Sequence, residues 1–209
     1  QEGSTYIKEM EIDDKFSAKL DLGLNYGKKF PEIHDKIVSK RKETNNGLFI
    51  LHGASGTGKT TYIKYLAHEL GKKVLFLPPF MAESIVNPEF VPFLMENKDC
   101  FLIIEDAEKV IGDRQNSGSS VGVSNLLNLS DGILGDILNL HIIATFNMDK
   151  EKIDKALLRK GRLIAEHKFE KLDTENTNKL LKYLNKLTFF SAAAALATAM
   201  EIPKIALAP

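Results

Sequence analysis

Residues 52–71 read HGASGTGKTTYIKYLAHELG, and within them Gly53, Gly58, Lys59 and Thr60 fit the spacing G-x-x-x-x-G-K-[ST], with Gly56 between the two glycines. Residues without side-chain bulk let successive backbone N–H groups, here those of Ser55, Gly56, Thr57, Gly58, Lys59 and Thr60, curl around a phosphate. A helix starting at that point adds its positive dipole end. Lys59 then reaches the β- and γ-phosphates as a point charge, and the Thr60 hydroxyl is placed to ligate Mg²⁺. Thr61 continues the helix and is counted with the loop by position.

A second group of candidates follows the apolar run FLII, where Glu105 and Asp106 are adjacent and Glu108 follows. Nucleotide hydrolysis needs one carboxylate to hold Mg²⁺, directly or through water, and another to orient and deprotonate the attacking water. By position Glu105 takes the metal role and Asp106 the base role, while Glu108 reads as a surface or supporting residue. Adjacent residues of an extended chain point to opposite sides, so both acids serve only if the chain bends just past the strand. Asn147, after HIIATF, offers an amide to the attacking water or the γ-phosphate, although an Asn there also suits a turn. Arg159 and Arg162, in ALLRKGRL, suit phosphate on a neighbouring subunit, and equally suit ordinary cations at a helix end.

The elements that must position these residues follow from hydrophobic pattern. Apolar runs at 48–51, 73–77, 100–104, 141–145 and 163–169 read as five strands. Helical periodicity covers 28–43, the stretch after the glycine loop up to a Gly71 cap, 87–97 with Asn87 as cap, 123–134, 153–161 and 174–187. Strands alternating with helices predict an α/β fold on a parallel sheet. LNYG at 24–27 is a plausible wall for a base, with Tyr26 the packing residue, or else a plain turn. Residues 112–122, rich in Gly and Ser, read as a loop.

Composition narrows the classes. With 28 Lys+Arg against 28 Asp+Glu the chain has no net basic field to recruit nucleic acid. The one cysteine, Cys100, excludes an internal disulfide, reads as a core residue, and is compatible with a cytoplasmic or other reducing compartment. No run approaches the length of a membrane helix, and residues 1–15 lack the apolar centre of a signal peptide. The chain opens on Gln1 and reads as a trimmed product. The Ala-rich 191–209 segment suggests that part of the C-terminal region lies beyond it.

GASGTGKT, FLIIEDAE, LLNLSDGI, IIATFN and IDKALLRKGRL occur in the order and rough spacing of the AAA family of ATPases, which residues 45–170 resemble. The ED order and NLLNLSDGI look most like the subgroup containing the mitochondrial translocator of the Rieske iron–sulfur protein. The resemblance implies a three-layer P-loop core with sheet order 5-1-4-3-2, spanning 1–170 with an N-terminal extension, and a short, incomplete helical lid at 171–209. It implies ATP and Mg²⁺, a ring homo-oligomer that is usually hexameric, and remodelling or threading of a macromolecule, protein rather than nucleic acid. Carried over by position, Lys59 and Thr60 belong to Walker A, Glu105 and Asp106 to Walker B, Asn147 to sensor 1, and Arg159 and Arg162 to the arginine fingers.

Three departures accompany the resemblance. The acids run Glu–Asp where most of the family runs Asp–Glu. LPPFMAES supplies Phe80 and Met81 to the pore-loop position with no glycine, where Phe80 equally suits core packing. The lid lacks the sensor 2 arginine. A nucleotide-binding switch with weak hydrolysis is the alternative, since Asp106 has a shorter reach than Glu. A GTPase is disfavoured because no Asn-Lys-x-Asp loop occurs.

Overall fold

The computed structural model describes residues 20–71, 73–82, 85–88, 90–108 and 121–183. The reading of 112–122 as a loop falls outside those residues except at Val121 and Gly122, which are helical instead, and the readings of 184–187 as helix and of the Ala-rich tail also fall outside. The elements in chain order are α1 (Leu22–Tyr26), α2 (Phe30–Glu43), β1 (Gly47–His52), α3 (Lys59–Leu70), β2 (Val74–Phe76), α4 (Val91–Glu96), β3 (Phe101–Ile104), α5 (Val121–Asp131), α6 (Ile133–Leu138), β4 (His141–Phe146), β5 (Leu163–Lys168) and α7 (Thr174–Tyr183).

The five strands form one sheet in the order β2-β3-β4-β1-β5, with every pairing parallel. This is the 5-1-4-3-2 order expected. The order puts β4 at the centre, flanked by β1 and β3, with β1 lying between β4 and β5. The C-terminal ends of β1, β3 and β4 therefore share one rim, and the loop glycines, the acids and Asn147 all leave the sheet there.

Both faces are covered, and alternation along the strands decides which side chain goes where. Leu48 and Ile50 of β1, Leu102 and Ile104 of β3, and Ile142 and Ala144 of β4 join Val123, Leu126 and Leu129 of α5 in one buried cluster. Phe49, Leu51, Phe101, Ile103 and Ile143 face the other way, against Phe30 and Ile37 of α2 and Tyr62, Ile63 and Leu66 of α3. Each such side chain, fully buried, contributes about 1.5–3 kcal/mol. Cys100 is buried with the first cluster, as its sequence neighbours suggest.

Four further sequence expectations needed correction. The helix expected over 87–97 begins only at Val91, because Pro92 fits nothing but the first turn. Asn87 heads a turn in which its carbonyl accepts from Phe90 (2.9 Å) and Val91 (3.2 Å). The helix expected over 123–134 is two helices, broken where Gly132 takes an extended conformation (ψ 168°). Residues 153–161 form successive turns, not a helix. There Asp154 Oδ1 takes the Ala156 amide (2.8 Å), a local side-chain bond that competes with helix formation. LNYG lies mostly within α1, which Asp21 caps through the Leu24 amide (2.9 Å) and Gly27 ends.

Candidate functional site at the rim of the sheet

The phosphate-loop candidate leaves β1 at His52 and enters α3 at Lys59. Two of its glycines are fixed by close approach. A Cβ on Gly53, which has φ +132°, would lie 2.2 Å from the carbonyl oxygen of Phe169. Gly58 is left-handed (φ +90°), and a Cβ there would meet the Tyr26 ring at 2.9 Å. Ser55 and Gly56 are exposed at the tip, and Thr57 Oγ1 donates to the Ala54 carbonyl (2.8 Å). Thr61 is buried on α3, so it belongs to the packing of the helix and not to the loop's outer surface.

Lys59 is 7% exposed, and its Nζ donates to the carbonyls of Gly53 and Ala54, both at 2.9 Å. Burial pulls its ammonium below the ordinary lysine value, while Asp106, Glu108 and Glu105 act, in that order, to restore it. The cation thus sits in the field of all three acids that follow β3.

Those acids reach the rim because the chain bends just past the strand, as their joint use required. Asp106 is left-handed (φ +52°), a conformation Asp tolerates better than most residues. Its amide donates to Thr145 Oγ1 (3.1 Å), and the next amide, of Ala107, donates to the Thr145 carbonyl (2.8 Å). The bend aims Glu105 at Thr60, whose hydroxyl donates to Glu105 Oε1. It aims Asp106 at Asn147, whose Nδ2 donates to Asp106 Oδ1 (2.5 Å). Asn147 is therefore more than a turn residue.

Sequence reasoning undervalued Glu108. Its Oε1 accepts the side-chain amide of Asn147 (3.0 Å) and its Oε2 the backbone amide (3.2 Å). Asn147 is held between the two acids, Asp106 on one side and Glu108 on the other. Thr145 was also missed: it carries no chemistry, yet it anchors the bend. A third missed group ties the loop after Asn147 to β5. Lys150 Nζ donates to Glu166 Oε2 (2.5 Å), His52 Nε2 to Glu166 Oε1 (2.6 Å), and Lys168 Nζ to Asp149 Oδ1 (2.9 Å). Burial opposes the charged form of Glu166, yet the hydrogen bonds from Lys150 and His52 hold its carboxyl below the usual range.

The two arginines separate. Arg159 is exposed, whereas Arg162 Nε donates to Asp131 Oδ2 of the same chain (2.6 Å). Only Arg159 has the outward placement expected of both. Met81, considered for a pore loop, packs against the core cluster of the α5 face. Phe80 lies in the 3₁₀ turn Pro79–Met81, and its side chain is outside the described residues.

Tyr26 is not simply an exposed wall. Its hydroxyl donates to the Gly58 carbonyl (3.0 Å), and its ring packs on Phe30, Tyr62 and Phe169, with centroids 4.6, 6.0 and 5.4 Å away. Burial pushes its phenol well up, so it remains a hydrogen-bond donor. Beside it lies a cavity of about 460 Å³ between α1, α2, the end of β5 and the start of α7, lined in part by Tyr26, Phe30, His167, Phe169 and Asn176.

The sequence model for the family described as "ATPase family associated with various cellular activities (AAA)" matches residues 49–171. The chain belongs to this family. The matched span begins in β1 and ends just past β5, so this AAA domain contains every rim residue described above. Among similar proteins, "Probable mitochondrial chaperone bcs1" of Schizosaccharomyces pombe is 28% identical over 144 residues, 63% of this chain and 31% of that protein. "AAA-ATPase At2g46620" of Arabidopsis thaliana is 28% identical over 157 residues, 74% and 30% of the two chains. "26S proteasome subunit RPT4" of Saccharomyces cerevisiae is 28% identical over 148 residues, 65% and 32%. The aligned part thus spans about a third of the length of these relatives. Membership gives the coarse statement of function, a nucleotide-binding P-loop domain of the AAA ATPase type.

The donor set suits the magnesium that such domains typically use. A hydroxyl and a carboxylate adjoin at the start of α3, hard oxygen donors of the kind Mg²⁺ takes alongside waters and phosphate oxygens. Among the described residues no cluster of three or more His, Cys, Asp or Glu forms an all-protein metal cage.

Proposed function

We propose that this chain binds ATP with Mg²⁺ and hydrolyses the β–γ phosphoanhydride, as the motor domain of a ring assembly that remodels or threads a protein. The observation that carries the reading is the paired contact at the rim, Thr60 to Glu105 and Asn147 to Asp106, beside the buried ammonium of Lys59. Mg²⁺, held by Thr60 and Glu105, would supply Lewis-acid neutralisation of charge on the phosphates.

The chain's own groups do the rest. Lys59 exchanges the carbonyls of Gly53 and Ala54 for phosphate oxygens, and the amides of the loop complete the cradle. Adenine enters the cavity beside Tyr26. Asn147 holds Asp106, and Asp106 takes a proton from the attacking water as its oxygen bonds to the γ-phosphorus and the bridging P–O bond breaks. The products are ADP and inorganic phosphate. Arg159, exposed, is the arginine offered to a neighbouring subunit's γ-phosphate, and Arg162 braces the turn through Asp131. The domain works in a reducing compartment, consistent with one buried, free cysteine. Among the described residues no helix is long and apolar enough to cross a membrane. In organisation, 1–170 is the nucleotide-binding domain with its extension, and α7 (Thr174–Tyr183) belongs to a helical lid that follows it.

A second reading, a switch that binds ATP and hydrolyses it slowly, is favoured by the grip of Asn147 on Asp106. Phosphate release and solution mass, measured together with and without ATP, separate the two. The motor reading expects turnover of about 1 per second or faster, within the working range of enzymes. It also expects turnover that rises with protein concentration as a ring forms and vanishes in Lys59→Ala. ATP binding with no turnover at any concentration overturns it.

A further inference from the structure

Two walls of the cavity are also the two supports of the phosphate loop. Tyr26 lines the cavity with its ring and donates its hydroxyl to the Gly58 carbonyl (3.0 Å) at the loop's exit. Phe169 lines the same cavity, donates its amide to the His52 carbonyl (2.7 Å) and presses its own carbonyl against Gly53 at the loop's entrance. The two rings meet edge to face with centroids 5.4 Å apart. None of the residues lining the cavity belongs to the loop itself.

The Gly58 carbonyl is a sensitive point. It accepts from Tyr26 and from the Tyr62 amide (3.0 Å), which is the first hydrogen bond of α3. Gly58 is the N-cap of α3 and is left-handed, with no side chain of its own to cap the helix. The orientation of the peptide that follows Gly58, and hence of the amides aimed into the loop, is fixed from outside the loop by a phenol. That phenol cannot turn away freely, because its ring is held by Phe30, Tyr62 and Phe169.

We propose that Tyr26 is a positioning residue that couples the base cavity to the phosphate loop. A flat base filling the cavity packs against the ring, restrains it, and so fixes the hydroxyl that holds Gly58. The loop is then ordered for the triphosphate before the phosphates arrive. The two halves of a nucleotide are thereby bound with positive coupling, each ordering what the other needs. This rests on the ATP reading of the site.

The test uses the full chain and three ligands: ATP, adenosine, and inorganic tripolyphosphate with Mg²⁺, each titrated by calorimetry. In the wild type, saturating adenosine is expected to tighten tripolyphosphate binding about fivefold or more, within the ordinary range of coupling between sites. Tyr26→Phe keeps the ring and removes the hydroxyl. It is expected to weaken ATP and tripolyphosphate about five- to tenfold, as for loss of one hydrogen bond. Adenosine affinity should stay within about twofold, and the enhancement by adenosine should disappear. A merely structural tyrosine would weaken all three ligands together and leave the coupling ratio unchanged, and that result overturns the proposal. Absence of coupling in the wild type overturns it without any variant. If the wild type binds neither ATP nor tripolyphosphate, the ATP reading falls and takes this with it; lost coupling with ATP binding intact removes this proposal alone.

Discussion

Asp106→Asn tests the assignment of the base with the least disturbance of the fold. Asp106 is left-handed (φ +52°), and that conformation decides which substitution is informative. Alanine there would add about 1–2 kcal/mol of backbone strain, enough to confuse lost chemistry with lost protein. Asparagine visits the same region readily, so the strain term is near zero. The new amide oxygen still accepts from Asn147 Nδ2, which sits 2.5 Å from Asp106 Oδ1, and the backbone amide keeps its bond to Thr145. What is lost is the charge and the ability to take a proton. Loss of a general base costs about 10²- to 10⁴-fold in turnover. At about 1.36 kcal/mol per decade, this is a barrier increase of about 2.7–5.4 kcal/mol. Binding should move the other way. Among the carboxylates acting on Lys59, Asp106 has the largest effect. Removing its charge takes a negative group away from where a triphosphate would lie, so ATP affinity should hold or tighten. Phosphate release, ATP calorimetry and a thermal melt on the same preparation give the three readouts. Turnover within about threefold of wild type with ATP binding intact would refute the base assignment. An equal fall in turnover and affinity would refute the separation of roles.

Asn147→Ala strips one side-chain hydrogen-bond donor from Asp106 and one from Glu108, leaving the backbone amide on Glu108, and turnover should fall about 10- to 100-fold, the range for bonds to charged groups. ATP affinity should change little; a selective loss of affinity in the calorimeter would contradict this. Gly53→Ala forces a Cβ to 2.2 Å from the Phe169 carbonyl, a backbone atom that cannot swing aside. The strain should cost at least about 1–3 kcal/mol, and an unchanged melting temperature would show that the close approach is wrong. Glu166 sets an acid-side dependence of stability. Its folded carboxyl lies below its usual range, so its bonds to Lys150 and His52 stabilise fully above that range and are lost as pH falls through the folded value. Denaturant titrations from about pH 7 to about pH 3 should show that decline, and Glu166→Gln should flatten part of it. An identical slope in the variant would remove Glu166 from the account.

The strands, the glycine loop and α3 were legible because each rests on local rules. Apolar runs too short for helices become buried strands, a G-x-x-x-x-G-K-T run between strand and helix has one common use, and Gly71 ends a helix wherever it takes a left-handed turn. Where local rules compete, reading failed. Pro92 and Gly132 were both visible, yet whether a proline starts a helix or a glycine splits one depends on what each segment packs against. At 153–161 the apolar periodicity suggested a helix, but the side chain of Asp154 took a backbone amide for itself.

For the site, residue types alone determined the cast: Lys59, Thr60, Glu105, Asp106 and Asn147. Their joint use depended on something no spacing records, the left-handed bend at Asp106, which exists because Thr145 on the neighbouring strand binds two successive amides. Tertiary structure also gave Glu108 a partner in Asn147, put Arg162 onto Asp131 while leaving Arg159 exposed, and set Tyr26 beneath Gly58. Each of these contacts joins residues 20 or more positions apart in the chain, brought together by parallel strand order and helix packing. A sequence lists which groups are capable of a reaction; which of them lie within about 3 Å of one another is set by how the chain returns on itself.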